Sequence, residues 1–219
     1  MLVSIFFMRL IFNVKNWRKI MLTVILGKVF NHLSLDLNSR LTIISTHAVI
    51  GTLVILVAGI WDAVNHIQNS PEFFWSDPHI VVYSGVFMVT IASIFSVSLL
   101  MKNPIHGILK RGMQLVVIGS IMQIISGFGD SISHDMFGID GLLSLTHQPL
   151  EIGIVLSALG GFLIIKARQN SNLNVFLPFS IVTFLLITSW LGFNFALYFG
   201  HYVQCIPIHL IFSSGCSVL

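Results

Sequence analysis

The sequence predicts an all-α, polytopic transmembrane helical bundle built from two tandem helix-hairpin repeats plus a fifth span. Hydrophobic residues fill 55% of the 219 positions and charged residues only 9%, more apolar surface than a single soluble core encloses. Five apolar stretches approach the ~20 residues a helix needs to cross a bilayer. One polar motif also occurs twice at a fixed offset, the mark of a duplicated unit.

Residues 1–39 are set apart as an N-terminal interfacial or cytoplasmic segment. The run 1–12 is apolar but broken by Arg9, and 20–30 is short and contains Lys28. A helix lying in the membrane interface is expected, rather than a secretory leader with its charged start and small-residue cleavage site. The transmembrane domain, 40–219, holds repeat 1 at about 40–101, repeat 2 at about 108–166 and the fifth span at about 175–200. The apolar windows inside it are 41–61, 80–101, 112–128, 149–165 and 175–200. The last piece, 207–219, is too short to cross, and Cys205 and Cys216 beside it are expected to be ordinary thiols.

Basic residues orient the chain. Arg9, Lys15, Arg18, Lys19, Lys28 and Arg40 precede the first span, Lys102, Lys110 and Arg111 separate the second and third, and Lys166 and Arg168 separate the fourth and fifth. The positive-inside rule makes these segments, and the N-terminus, cytoplasmic in a multi-pass protein of the cell membrane. The loops 62–79 and 130–147 carry no Lys or Arg and are expected on the extracytoplasmic side. The net charge of +3 carries no signal for nucleic acid, because the basic residues sit beside membrane spans; the lipid bilayer is the expected partner. No nucleic acid is expected, because no basic stripe with interleaved aromatics occurs.

The repeated motif is Asp-x3-His-x5-acid-x6-His. It reads Asp62, His66, Glu72, His79 and again Asp130, His134, Asp140, His147, each element displaced by 68 positions. The same offset carries Gly51 onto Gly119, Gly59 onto Gly127, Ser76 onto Ser144 and Gly85 onto Gly153. Both copies enter from one side, so an axis along the membrane normal should relate them. Asp and His four apart share a helix face, and the second His opens the following helix. Asn69-Ser70-Pro71, Pro78, Gly138, Gly141 and Pro149 mark the breaks between helices, and Phe73, Phe74 and Trp75 are expected as interfacial anchors.

One carboxylate and two imidazoles per copy suit a divalent transition metal, and the lack of thiolates in both loops argues against an iron–sulfur cluster or a closed structural zinc site. Copper, zinc and iron all fit by ligand type. The expected ligands are Asp62, His66, His79, Asp130, His134 and His147, with Glu72, Asp140 and Glu151 as supporting carboxylates. Glu151 lies four residues after His147, and its repeat position holds Tyr83, so unequal half-sites are expected. Taken singly, an Asp or His at a helix end reads as a solvated or capping group; six such groups repeated at one spacing do not.

His47 is expected as a buried interhelical hydrogen-bonder, Asn194 as packing glue, and His32 and His106 as solvated. His201 and His209 fall at the outer end of the fifth span on the motif side; an accessory role is open to them, and ordinary solvated side chains are the expected reading. Met88, Met101, Met113 and Met122 form no copper-transport stripe.

Asp62-x3-His66, then Glu72-Phe73-Phe74, then Pro78-His79-x3-Tyr83-Ser84 resembles the metal-binding region of the C subunit of copper membrane monooxygenases, the ammonia and particulate methane enzymes. The second hairpin, with Phe137-Gly138-Ile139-Asp140, is closer to duplicated membrane proteins bearing the same Asp/His loops. The resemblance implies copper at Asp62, His66 and His79, and at Asp130, His134 and His147, where methane-oxidising relatives carry Asn at the acidic position. It implies a monooxygenase-like role at the outer membrane face, and assembly with other membrane subunits or as a homo-oligomer. Two alternatives use the same groups: a transporter or proton/metal conduit, which needs polar groups through the membrane depth, and a b-type cytochrome, against which the Asp-x3-His pairing argues.

Overall fold

Every apolar window becomes a helix, and most helices outlast their windows. The computed structural model describes residues 35–68, 75–137, 147–168 and 172–200; within these, the side chains at 66–67, 133–137 and 172–173 lie outside the description. The helices are α1 (Leu37–Ile67), α2 (Asp77–Lys102), α3 (Gly107–Phe137), α4 (His147–Lys166) and α5 (Leu177–Tyr198), the last entered through one 3-10 stretch, Asn172–Phe176. All five are long and apolar enough to cross a membrane, and no strand occurs among the described residues. The chain is thus a multi-pass helical bundle. By its contacts it divides into two compact units, residues 1–40 and 41–219.

The interfacial helix expected within 1–39 falls outside the described residues, except for 35–39. There, Asp36 Oδ1 accepts the Ser39 backbone N–H at 3.2 Å, serving one of the amides that a helix start leaves unpaired. Bonding to Ser39 holds this exposed carboxyl below its ordinary range. Its contribution is present above that range and is lost as the pH falls through it. Cys205, Cys216, His32, His201 and His209 also lie outside the described residues.

The polar loops are shorter than 62–79 and 130–147. α1 and α3 each run 31 residues, about 46 Å at 1.5 Å per residue against a hydrocarbon thickness of about 30 Å. Asp62, His66, Asp130 and His134 are therefore helix residues, and His79 and His147 lie in the first turns of α2 and α4. Helical backbone bonds continue regardless of side-chain polarity, so these helices carry on through the polar residues as far as Ile67 and Phe137. Pro78 and Pro178 sit in first turns, where a missing N–H costs nothing. Gly107 opens α3 at φ 67°, a left-handed conformation that suits glycine.

Small residues set how closely the helices approach. A Cβ placed on Gly85 would lie 2.7 Å from the Gly51 carbonyl oxygen and 2.6 Å from an Ile55 side-chain carbon; one on Gly153 would lie 2.8 Å from the Gly119 oxygen. The two glycine pairs are repeat mates, so each hairpin closes on the same backbone-to-backbone contact. Gly160 against Gly112 makes a second such contact in the α3–α4 hairpin.

Around these crossings the core divides by level. Leu41, Ile44, Ala48, Ala92, Leu99, Met113, Val116 and Ile164 cluster at one level, and Ile55, Leu56, Val82, Val86, Ile154 and Ile187 at another, next to the motif residues. α5 joins through one stripe, Ser180, Thr183, Ile187 and Asn194, while Val182, Leu185, Leu186 and Phe193 stay exposed for lipid. Hydroxyls inside the bundle bond their own helices: Ser45 to Leu41 O, Thr52 to Ala48 O and Ser96 to Ala92 O. His47 does the same. Its Nδ1 bonds Ile43 O at 3.0 Å, so the expected interhelical bond is an intrahelical one, because the carbonyl one turn back is the nearest partner. Asn194 is fully buried and donates to Trp190 O at 3.0 Å.

Gly85→Val and Gly153→Val are each expected to cost about 1–3 kcal/mol through overpacking against backbone, lowering the thermal midpoint of the detergent-purified protein followed by circular dichroism. Gly59→Ala, whose Cβ meets no described atom within 4 Å, is expected to leave the midpoint nearly unchanged.

Candidate functional site

The first half of the site is built by α1 and α2. Asp62, five residues before the end of α1, is 6% exposed, and His79, in the first turn of α2, is 7% exposed. His79 Nε2 stands 3.7 Å from Asp62 Oδ2. A hydrogen bond of 3.1 Å joins the other ring nitrogen, Nδ1, to Ser76 Oγ, which fixes the plane and rotation of the imidazole.

The second half repeats this with α3 and α4. Asp130 is buried, and His147 Nδ1 stands 3.5 Å from Asp130 Oδ1. A different ring nitrogen faces the acid here, so the two halves are alike in position but not in detail. Both N···O separations exceed the 2.7–3.2 Å typical of an N–H···O hydrogen bond. The pairs are electrostatic couples in a low-dielectric setting, where removing one partner is costly.

All four side chains line one cavity of about 40 Å³, room for about three waters, since one water needs roughly 10–15 Å³ of such space. Tyr83, Glu151 and Trp190 complete its polar lining, and Ile55, Leu56, Val82, Ile154 and Ile187 its apolar floor. A haem group does not fit a space of this size.

Glu151 is where the halves diverge. It is 6% exposed; its Oε1 accepts the Trp190 indole N–H at 2.9 Å, while Oε2 has no hydrogen-bond partner among the described residues. Through the Trp190 bond it ties α4 to α5. Tyr83, at the matching place in the first repeat, reaches across to the other hairpin, where a Cβ on Gly127 would lie 3.1 Å from its ring. Trp75 flanks that ring at 6.0 Å between centroids.

Among the expected ligands, the structure brings Asp62 to His79 and Asp130 to His147, and it gathers both couples around one cavity. His66 and His134 lie on α1 and α3, one turn beyond their acids; their side chains lie outside the description, as do Glu72 and Asp140 altogether. Among the described residues, no group of three or more His, Cys, Asp or Glu converges as a metal site. Trp190 was missed by the sequence reading. Its signal was available in outline, since a tryptophan on the buried stripe of a span needs an acceptor for its N–H, but no local pattern points to Glu151.

Comparison with known proteins finds no matching family model, no similar curated protein and no similar solved structure.

Trp190→Phe keeps the ring but removes the donor to Glu151. This substitution is expected to cost about 1–3 kcal/mol as a buried carboxyl oxygen loses its partner, lowering the thermal midpoint; the double variant Trp190→Phe with Glu151→Leu should recover most of that loss, as a double-mutant cycle would measure.

Proposed function

We propose that this chain is an integral membrane metal-binding protein of the kind represented by the C subunit of copper membrane monooxygenases, with copper held at the outer membrane face. Asp62, His66 and His79 form one ligand set and Asp130, His134 and His147 the other. Zinc and iron suit the same donors.

The observation that carries this reading is the spacing within the two couples. Two donors on one tetrahedral ion, each ~2.0–2.2 Å from the metal, lie about 3.4 Å apart. The separations of 3.7 and 3.5 Å are too long for hydrogen bonds and close to that value. Burial beside a water-sized cavity adds to the fit, as does Ser76 on the far nitrogen of His79, the outer contact that a ligating ring uses to fix its tautomer. A bound cation would supply Lewis acidity and redox chemistry; the chain's part is to hold the donors, limit water and present the couples side by side.

The conduit reading draws on a buried polar stripe along α3, Ser120, Gln123 and Ser126, leading to Asp130. Along α3 that stripe gives way to Met113 and Val116, fully buried within the apolar cluster with Ile44, Leu99 and Ile164, and the hydroxyls of Ser45, Thr52 and Ser96 are bonded to their own helices. This favours a site over a channel.

Metal analysis of the detergent-purified chain tests the proposal. Wild type is expected to retain copper through dialysis, and His79→Ala with His147→Ala to lose it with an affinity drop larger than the roughly 10–100-fold that follows loss of a merely supporting group. Equal copper content in both proteins overturns the reading.

A further inference from the structure

At the end of the bundle away from the acids, α2, α3 and α4 leave an open groove of about 620 Å³, within the roughly 300–1,000 Å³ of ordinary ligand sites. Val97 and Leu100 of α2, Leu115 and Ile118 of α3 and Leu163 of α4 make its apolar wall. Two polar side chains also line it, Arg111 and Gln114, three apart on α3 and so on one helix face. Both are exposed, and neither has a hydrogen bond or ion pair among the described residues.

Depth gives these two groups different surroundings. Asp130 marks the polar end of α3, and the roughly 20 residues that cross the hydrocarbon, counted back from it, reach Lys110. Arg111 therefore stands at headgroup level, and Gln114, about 5 Å further in at ~1.5 Å per residue, stands where lipid esters give way to acyl chains. An amide facing hydrocarbon without a partner is costly. Phosphate and ester oxygens at these two depths answer a guanidinium and an amide. The repeat does not require the pair: at the matching positions α1 holds Ile43 and Thr46, and Thr46 Oγ1 donates to Thr42 O at 2.8 Å. Charge at this end has one sign. Lys102, Lys110, Arg111, Lys166 and Arg168 gather there, while every acid among the described residues of 41–219, Asp62, Asp77, Asp130, Asp135 and Glu151, lies toward the other end.

We propose that this groove binds one anionic glycerophospholipid, with an acyl chain against Val97, Leu115 and Leu163, the ester region at Gln114 and the phosphate at Arg111. A planar guanidinium pairs two phosphate oxygens at once, and the surplus of cations selects a headgroup of net negative charge over a zwitterionic one. From Arg111 to Ile118 the groove follows α3 for about 10 Å, so it takes the upper part of a chain lying along the helix rather than a compact solute. The site is separate from the Asp/His couples, which stand at the opposite ends of the same helices.

Titration of the delipidated full-length protein in detergent, read by native mass spectrometry, tests the assignment. Dioleoyl phosphatidylglycerol is expected to bind as a single molecule, roughly tenfold tighter than dioleoyl phosphatidylcholine. Arg111→Gln should remove most of that preference, and Gln114→Leu should weaken both lipids about threefold. Lys110→Gln, which removes the neighbouring charge but none of the groove lining, should stay within about twofold of wild type. An equal loss in Lys110→Gln and Arg111→Gln, or equal binding of the two lipids to wild type, overturns the site in favour of diffuse attraction. Val97→Trp fills the groove and should abolish binding of both lipids; if it fails to fold, the variants at the exposed Arg111 and Gln114 carry the test. A lipid-free dimer that Val97→Trp dissociates gives the groove to a second copy of the chain and overturns the lipid assignment.

Discussion

A carboxylate enclosed by membrane helices must be answered by a cationic or strongly polar neighbour, because the apolar interior offers nothing else to replace water. Asp62 and Asp130, 6% and 5% exposed, are each answered by an imidazole from the next helix. That requirement fixes the axial register of both hairpins: sliding α2 along α1 by one turn, or α4 along α3, would strand a buried acid. The glycine contacts supply the other coordinate. Gly51 meets Gly85, and Gly119 meets Gly153, backbone to backbone, which sets the spacing within each hairpin. Register and distance together place both couples on one cavity.

Much of this was legible in the order of residues. Five apolar windows gave five helices because in a bilayer a continuous apolar run has no alternative that satisfies its backbone. The 68-residue offset identified the hairpins, and the shared orientation of the motifs anticipated that they would meet. Helix ends were less visible. Polar residues beyond Trp61 and Phe128 look like loop, yet the helices continue through them to Ile67 and Phe137. Side-chain partnerships were least visible: whether His47 bonds across helices or within its own, and that Glu151 meets Trp190 from α5, depends on which faces oppose, and period alone does not say. His66 and His134 are legible as motif members, but their contribution is not fixed by the described geometry.

Where the two repeats differ is as informative as where they agree. The matching glycines, acids and histidines keep both halves in the same place, while position 83 and its mate 151 carry a phenol in one copy and a carboxyl in the other. The phenol fills its half against Gly127. The carboxyl recruits the fifth helix through Trp190, a helix that has no counterpart in the repeat and lies against the bundle through a single stripe. Both residues line the cavity, and Trp190 fixes the carboxyl on its side.

Covalent linkage of the two hairpins has an evolutionary consequence. A single hairpin pairing with its twin as a homodimer would surround the same space with the same acids and histidines, but any change at the position of Tyr83 would appear on both sides at once. Once the copies are fused in tandem, one wall is free to vary while the other is held. The tandem chain can therefore set a phenol in one wall and a carboxyl tied to a fifth helix in the other, a division of labour that identical protomers related by strict two-fold symmetry cannot encode.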